Sequence, residues 1–144
     1  LSFIFKKTIG DHGMSSSTKK IIETTQAPKP VGPYSQAVTA GPFTFCSGQI
    51  ALKPDDGTMV KGGVREETAQ VMRNIEAVLK AANLTLADVV KTTILLTNMQ
   101  DFAVVNEVYG QFFKEHPPAR STFAVVGLPK EAKVEIEVTA FRAG

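Results

Sequence analysis

An arginine that opens one strand-like run and a glutamate in the next are the residues of this chain best suited to chemistry. The first run reads Pro118-Ala119-Arg120-Ser121-Thr122-Phe123, and the second reads Val134-Glu135-Ile136-Glu137-Val138. Their alternation is that of strands, and Gly127 and Pro129 between them suggest a hairpin-like connection. Side chains on a strand point to alternate sides, so Arg120, Thr122 and Ala124 share one face. Glu135, Glu137 and Thr139 share a face opposite Val134, Ile136 and Val138. A planar guanidinium grips a carboxylate through two parallel hydrogen bonds. A glutamate on a neighbouring strand can hold a water against whatever is gripped. Taken alone, the same pattern also describes charges on a solvated sheet face.

The elements that must position these residues follow in order. Residues 20–25 are rich in β-branched side chains and read as a first strand. The loop after it carries Pro28, Pro30 and Pro33, which exclude helix and central strand. It presents Tyr34, whose ring either packs on the sheet or stands over a pocket. Residues 38–40 and 43–50 read as strands across a Gly41-Pro42 turn. Gly48 inside the second suggests a bulge or a close backbone approach, and Ser47 beside it can offer a hydroxyl or an amide. From 64 to 82, Val71, Ile75, Val78 and Ala82 form a helical stripe, with Glu66 and Glu67 opposing the positive helix end. The β-rich run 89–97 is nearly continuous, as in a strand covered on both faces or in an interface. A second helix is expected over 102–115, with Phe102, Val105, Tyr109, Phe112 and Phe113 as its stripe and Asn106 at its flank. Asn106 there is either an edge amide or a group reaching into a cleft.

The order β, β, β, α, β, α, β, β predicts a mixed sheet with two helices packed on one face. The second face would stay half apolar, so a symmetric oligomer with pockets between subunits is expected.

Composition narrows the function. A length of 144 residues suits one domain, with 43% hydrophobic residues available for a core. Sixteen basic and fourteen acidic residues leave a net charge of only +2. Basic residues are scattered without an aromatic platform, which argues against nucleic acid as a partner. Cys46 is the sole cysteine, so no intrachain disulfide can form and a reducing, cytoplasmic setting fits. It reads as a small buried hydrophobe rather than a nucleophile. His12 and His116 are the only histidines, too few for a histidine metal cluster, and no P-loop or dinucleotide fingerprint occurs. No apolar run approaches the ~18 residues of a membrane span. Residues 1–17 are set aside as a tag or leader and 18–144 as the domain. Met14 would be a native start if the first thirteen residues are an addition. If they are a transit-peptide remnant, the basic, acid-free opening to Gly10 points to mitochondria instead.

The chain resembles the Rid family of reactive intermediate deaminases (YjgF-type), the RidA subgroup in particular. The motifs that carry the resemblance are Gly32-Pro33-Tyr34-Ser35-Gln36-Ala37, Ser47-Gly48-Gln49-Ile50, Val90-Lys91-Thr92-Thr93, Asp101 to Asn106, Pro118-Ala119-Arg120-Ser121, and Leu128-Pro129-Lys130 with Val134 to Glu137. They cover about 21–142. The resemblance implies a chorismate-mutase-like α+β fold and a homotrimer with a barrel-like core and sites at subunit interfaces. It implies hydrolysis of 2-imino acids, such as 2-iminobutanoate and 2-iminopropanoate, to 2-oxo acids and ammonia, without cofactor or metal. Pyridoxal-phosphate dehydratases would supply those imines. Carried over by motif, Arg120 binds the substrate carboxylate, Glu135 activates water, and Tyr34, Ser47 and Asn106 line the pocket. Thr122 stands where many members have cysteine, and its hydroxyl can still hydrogen-bond to substrate. Val126 replaces a usually small residue. A 2-oxo acid-binding regulator and an RNA-directed translation inhibitor or endoribonuclease remain the alternative functions.

Overall fold

The continuous β-branched run of Thr92, Thr93 and Ile94 takes an interior place in a six-stranded sheet. In the computed structural model, which describes residues 19–143, the strand order is β1-β2-β3-β6-β4-β5. The strands are β1 (Lys19–Ile22), β2 (Ala37–Ala40), β3 (Phe43–Gln49), β4 (Val89–Leu96), β5 (Ala119–Ala124) and β6 (Val134–Phe141). Helix α1 (Val64–Ala81) lies between β3 and β4 in the chain, and α2 (Phe102–Phe112) between β4 and β5. Every neighbouring pair is antiparallel except β4 and β5, which α2 joins as a crossover between parallel strands. The mixed sheet with two helices agrees with the sequence reading. The expected leader, residues 1–17, lies outside the described residues. No described helix is long and apolar enough to cross a membrane.

Two sequence expectations need correction. The runs at 118–128 and 134–138 do not form a hairpin. β4 lies between β5 and β6, pairing with both. The link instead passes over the end of β4: Val125 N donates to Leu96 O, and Thr97 N donates to Lys133 O. Pro129 begins a single helical turn through Glu131, a segment too long for a tight hairpin. For β4, apolar continuity suggested cover on both faces or a place in an interface. Thr92, Ile94 and Leu96 are buried under the helices, whereas Lys91 is exposed and Thr93 and Leu95 are half-covered. One face is covered within the chain. Helix α2 also stops at Phe112 rather than 115: Phe113 leaves helical geometry, and Pro117-Pro118 follows closely.

The core sits between the helices and one sheet face. Val71, Met72, Ile75, Val78 and Leu79 of α1 meet Ile94, Leu96, Val134, Ile136 and Val138, all buried. Ile94 and Ile136 are register partners, and truncating either to alanine costs about 2–5 kcal/mol by the usual core penalty. On the opposite face Phe43 contacts Phe45 and Phe141, with ring centroids 6.1 and 5.3 Å apart. Those three rings, Ile21 and Phe123 are exposed.

Candidate active site

The strand register divides the sequence-nominated residues into two groups on opposite sheet faces. Arg120 pairs with Thr92, whose side chain is buried under α2. Glu135 pairs with Leu95, an odd number of positions from Thr92, so it points to the uncovered face.

The arginine group forms where β5 meets α2. Phe102, Asn106 and Tyr109 recur at helical spacing and present one flank of α2 to the sheet. Arg120 is half-buried there. Its Nη1 donates to Asn106 Oδ1 at 2.6 Å, and the guanidinium carbon lies 5.2 Å from the Tyr109 ring centroid and 5.6 Å from that of Phe102. Aromatic faces stabilise a cation held at this range. Tyr109 is itself anchored, its hydroxyl 2.8 Å from Thr92 Oγ1. Burial pushes the Tyr109 phenol above its ordinary pKa, against the opposing effects of the Thr92 bond and Arg120. Among the described residues, no acidic side chain pairs with Arg120. Thr122 lies two residues on, on the same face, and its Oγ1 is the only buried side-chain polar atom without a hydrogen-bond partner among the described residues. A guanidinium locked by an amide and two rings, with donors left over, is prepared for an anion.

The glutamate group lines a cleft of about 390 Å³ with Tyr34, Ser47, Gly48 and Pro129 among its walls. The expected irregularity at Gly48 is present as a register shift between Cys46 and Gln49. A close approach is present too, made by a side chain rather than by backbone: a Cβ at Gly48 would sit 2.7 Å from Glu135 Oε1 and 2.9 Å from its Cδ. Only glycine leaves Glu135 its place. Ser47 holds the proline loop, donating its hydroxyl to Ser35 O at 2.6 Å and its amide to Gln36 O at 2.9 Å. Gln36 is buried and fixes the same loop through Thr24, Ala27 and Pro28. Tyr34 remains exposed over the cleft, its hydroxyl accepting from Val31 N at 3.3 Å. Burial first, and the like charge of Glu137 second, raise the Glu135 carboxyl above the ordinary glutamate range. A more basic carboxylate is a better acceptor for a water proton.

The sequence nominated Tyr34, Ser47 and Glu135, which meet in this cleft, and Asn106, Arg120 and Thr122, which gather beneath α2. The two groups do not meet within one chain. Sequence reasoning placed Phe102 and Tyr109 in the core stripe and missed their role in seating Arg120. The available signal was an amide flanked by two aromatics at helical spacing. It placed Glu137 on the face of Glu135 but did not read its effect on that carboxyl. Cys46 is buried as expected, and burial pushes its thiol up to about 12. No group of three His, Cys, Asp or Glu side chains among the described residues is arranged to hold a metal ion.

Known proteins share this arrangement of strands. A sequence profile described as endoribonuclease L-PSP matches residues 24–142. The chain belongs to the Rid (YjgF, L-PSP) family. It is 46% identical over 129 residues to human 2-iminobutanoate/2-iminopropanoate deaminase, covering 90% of this chain and 94% of the human one. A RutC family protein of Pyrococcus horikoshii is 49% identical over 86% of this chain and 98% of its own. The crystal structure of E. coli TdcF with bound serine superposes with a TM-score of 0.83 at 42% identity, covering 86% of this chain and 99% of TdcF.

Proposed function

We propose that this Rid protein hydrolyses 2-imino acids to 2-oxo acids and ammonia, in a site that the cleft of one copy and the arginine group of another complete together. The observation that carries the reading is Arg120: half-buried, seated on two rings, bonded to Asn106, and without an acidic partner among the described residues. Such a group needs an anion, and the carboxylate of a 2-imino acid supplies one. The activity named for the human relative and the serine bound to TdcF support a ligand that carries nitrogen and carboxylate on one carbon.

Each half has a task. Arg120 fixes the carboxylate through parallel hydrogen bonds, and the Thr122 hydroxyl faces the same ligand. Glu135 accepts a proton from water as the water oxygen bonds to the electrophilic iminium carbon. The product is a carbinolamine with both nitrogen and hydroxyl on that carbon. Glu135 returns the proton to the nitrogen, the carbon–nitrogen bond breaks, and the hydroxyl oxygen becomes the 2-oxo group as its proton leaves with ammonia as ammonium. A protonated imine is already electrophilic, so alignment and one general base suffice without a covalent intermediate. Tyr34 and Ser47 shape the cleft on the glutamate side.

The division between faces is what asks for a second copy. β5 is a sheet edge, and the exposed Phe123 and Val126 adjoin it. Together with the phenylalanines of the uncovered face they form an apolar surface that a copy would bury. A closed ring of three copies, the assembly the Rid motifs imply, would make three such sites. Pyridoxal-phosphate dehydratases generate imines of this class and would be the functional neighbours.

The test generates 2-iminobutanoate from threonine with a threonine dehydratase and follows 2-oxobutanoate release. The native chain is expected to accelerate release, and folded Arg120→Ala and Glu135→Ala variants are not. No acceleration by a folded native oligomer would overturn the reading and leave binding of a 2-oxo acid, or of RNA, to be measured in its place.

A further inference from the structure

One buried acid lies outside both half-sites. Glu67, in the first turn of α1, is 4% exposed. No lysine or arginine among the described residues pairs with it. Its Oε1 accepts the backbone amide of Lys133 at 2.9 Å. The carbonyl of Lys133 accepts from Thr97 N, next to the end of β4, at 3.2 Å. Lys133 is therefore held from both sides, and Glu135 follows it by two residues on β6.

The turn that Glu67 holds is strained. Lys130 and Glu131 both adopt left-handed backbone conformations, with φ of 54° and 56°. Consecutive non-glycine residues in this region persist only where their surroundings enforce it, and such strain gathers at functional sites. Here Ala132 is buried and donates to Pro129 O. Pro129 and Glu135 both border the cleft. Glu67 thereby ties the first turn of α1 to the residue two places before Glu135.

We infer that Glu67 is the positioning residue for Glu135: through Lys133 it clamps the strained turn that feeds β6 and holds the carboxylate against Gly48. This rests on the reading of Glu135 as the general base, and the test carries one readout that does not. Glu67→Gln keeps an acceptor oxygen for Lys133. Glu67→Met fills the same space without one. Glu131→Gly, at an exposed position, relaxes the turn while leaving the clamp in place.

The first readout is the titration of the Glu135 carboxyl by 13C NMR in the full chain, with Glu137 and Lys29 as the other charged groups bordering the cleft. Loss of the clamp lets water reach Glu135, so its midpoint moves down toward that of an ordinary glutamate in Glu67→Met and stays native in Glu67→Gln. The second is imine hydrolysis. Glu67→Met is expected to lose about tenfold in kcat, as displaced catalytic groups do, with KM little changed, and Glu67→Gln to retain the native rate. Glu131→Gly, which suits the φ of 56° and keeps the clamp, is expected to leave both readouts native without lowering Tm. A native Glu135 midpoint and native kcat in Glu67→Met, with only Tm reduced, overturn the inference. If Glu67→Met does not fold, it is combined with Glu131→Gly, where glycine favours the positive φ, and native values of both readouts in that double variant overturn the inference. Absence of turnover in the native protein overturns the hydrolase reading alone, and the titration then decides the role of Glu67.

Discussion

The arginine group and the glutamate cleft are built by opposite means. Arg120 is fixed by partners: an amide at 2.6 Å, two aromatic rings, and a tyrosine tied to the sheet. Glu135 is placed by exclusion, beside a glycine with no room for a Cβ and a second glutamate that repels it. The first arrangement stabilises a charge and readies it to bind. The second leaves a charge poorly stabilised and so readies it to take a proton. Binding and proton transfer need these opposite environments, and the sheet separates them by using both its faces.

That contrast is broken most severely at Arg120. Arg120→Ala removes the anion's partner and is expected to lower kcat/KM about 10³-fold, the range for deleting one member of a desolvated charge pair. Steady-state assays on the folded variant check it. Glu135→Gln is expected to lower kcat about 10²–10³-fold by removing the proposed general base. It should also stabilise the protein at neutral pH. Because the Glu135 pKa is raised on folding, ionisation of the native carboxyl opposes folding once the pH exceeds its unfolded pKa. The amide removes that penalty, so Tm rises by about 1–2 °C near neutrality. The gain disappears at acidic pH, where the native group is already protonated. Thermal scans across pH read this directly.

Smaller changes sharpen the comparison. Gly48→Ala pushes a Cβ into the Glu135 carboxylate, so kcat should fall about tenfold. The side chain that must move is flexible, so Tm should change little. Glu137→Gln removes the second cause of the raised Glu135 pKa and leaves burial, the larger one. The acid limb of kcat/KM, where activity falls as Glu135 takes up its proton, should shift to lower pH while staying above the ordinary glutamate range. A pH–rate profile measures the shift.

The sequence made much of this legible. Alternation placed Arg120 and Glu135 on strands, and Gly48 announced the bulge that the structure contains. The helical stripe of Val71, Ile75 and Val78 reads directly as the buried face of α1. The strand order was less accessible, because the link from 125 to 133 contains the glycine and proline of a turn yet crosses over the end of β4. Local turn chemistry does not say which strand a chain meets next. The seat of Arg120 was hidden for a related reason. Phe102 and Tyr109 look like core residues at helical spacing, and only the packing of α2 on β5 turns their faces to a guanidinium. Glu67 suited a solvated first helical turn by charge, whereas its burial depends on Lys133, far along the chain.

The central claim is that one site draws Arg120 and Glu135 from different copies. Mixing the Arg120→Ala and Glu135→Ala chains tests it most directly, with mixed oligomers verified by native mass spectrometry. Each variant alone should be inactive. Random mixing into a closed ring pairs an intact arginine with an intact glutamate at about a quarter of the interfaces, so activity should return to about that fraction of native. Verified mixed oligomers that remain as inactive as the separate variants would contradict a shared site.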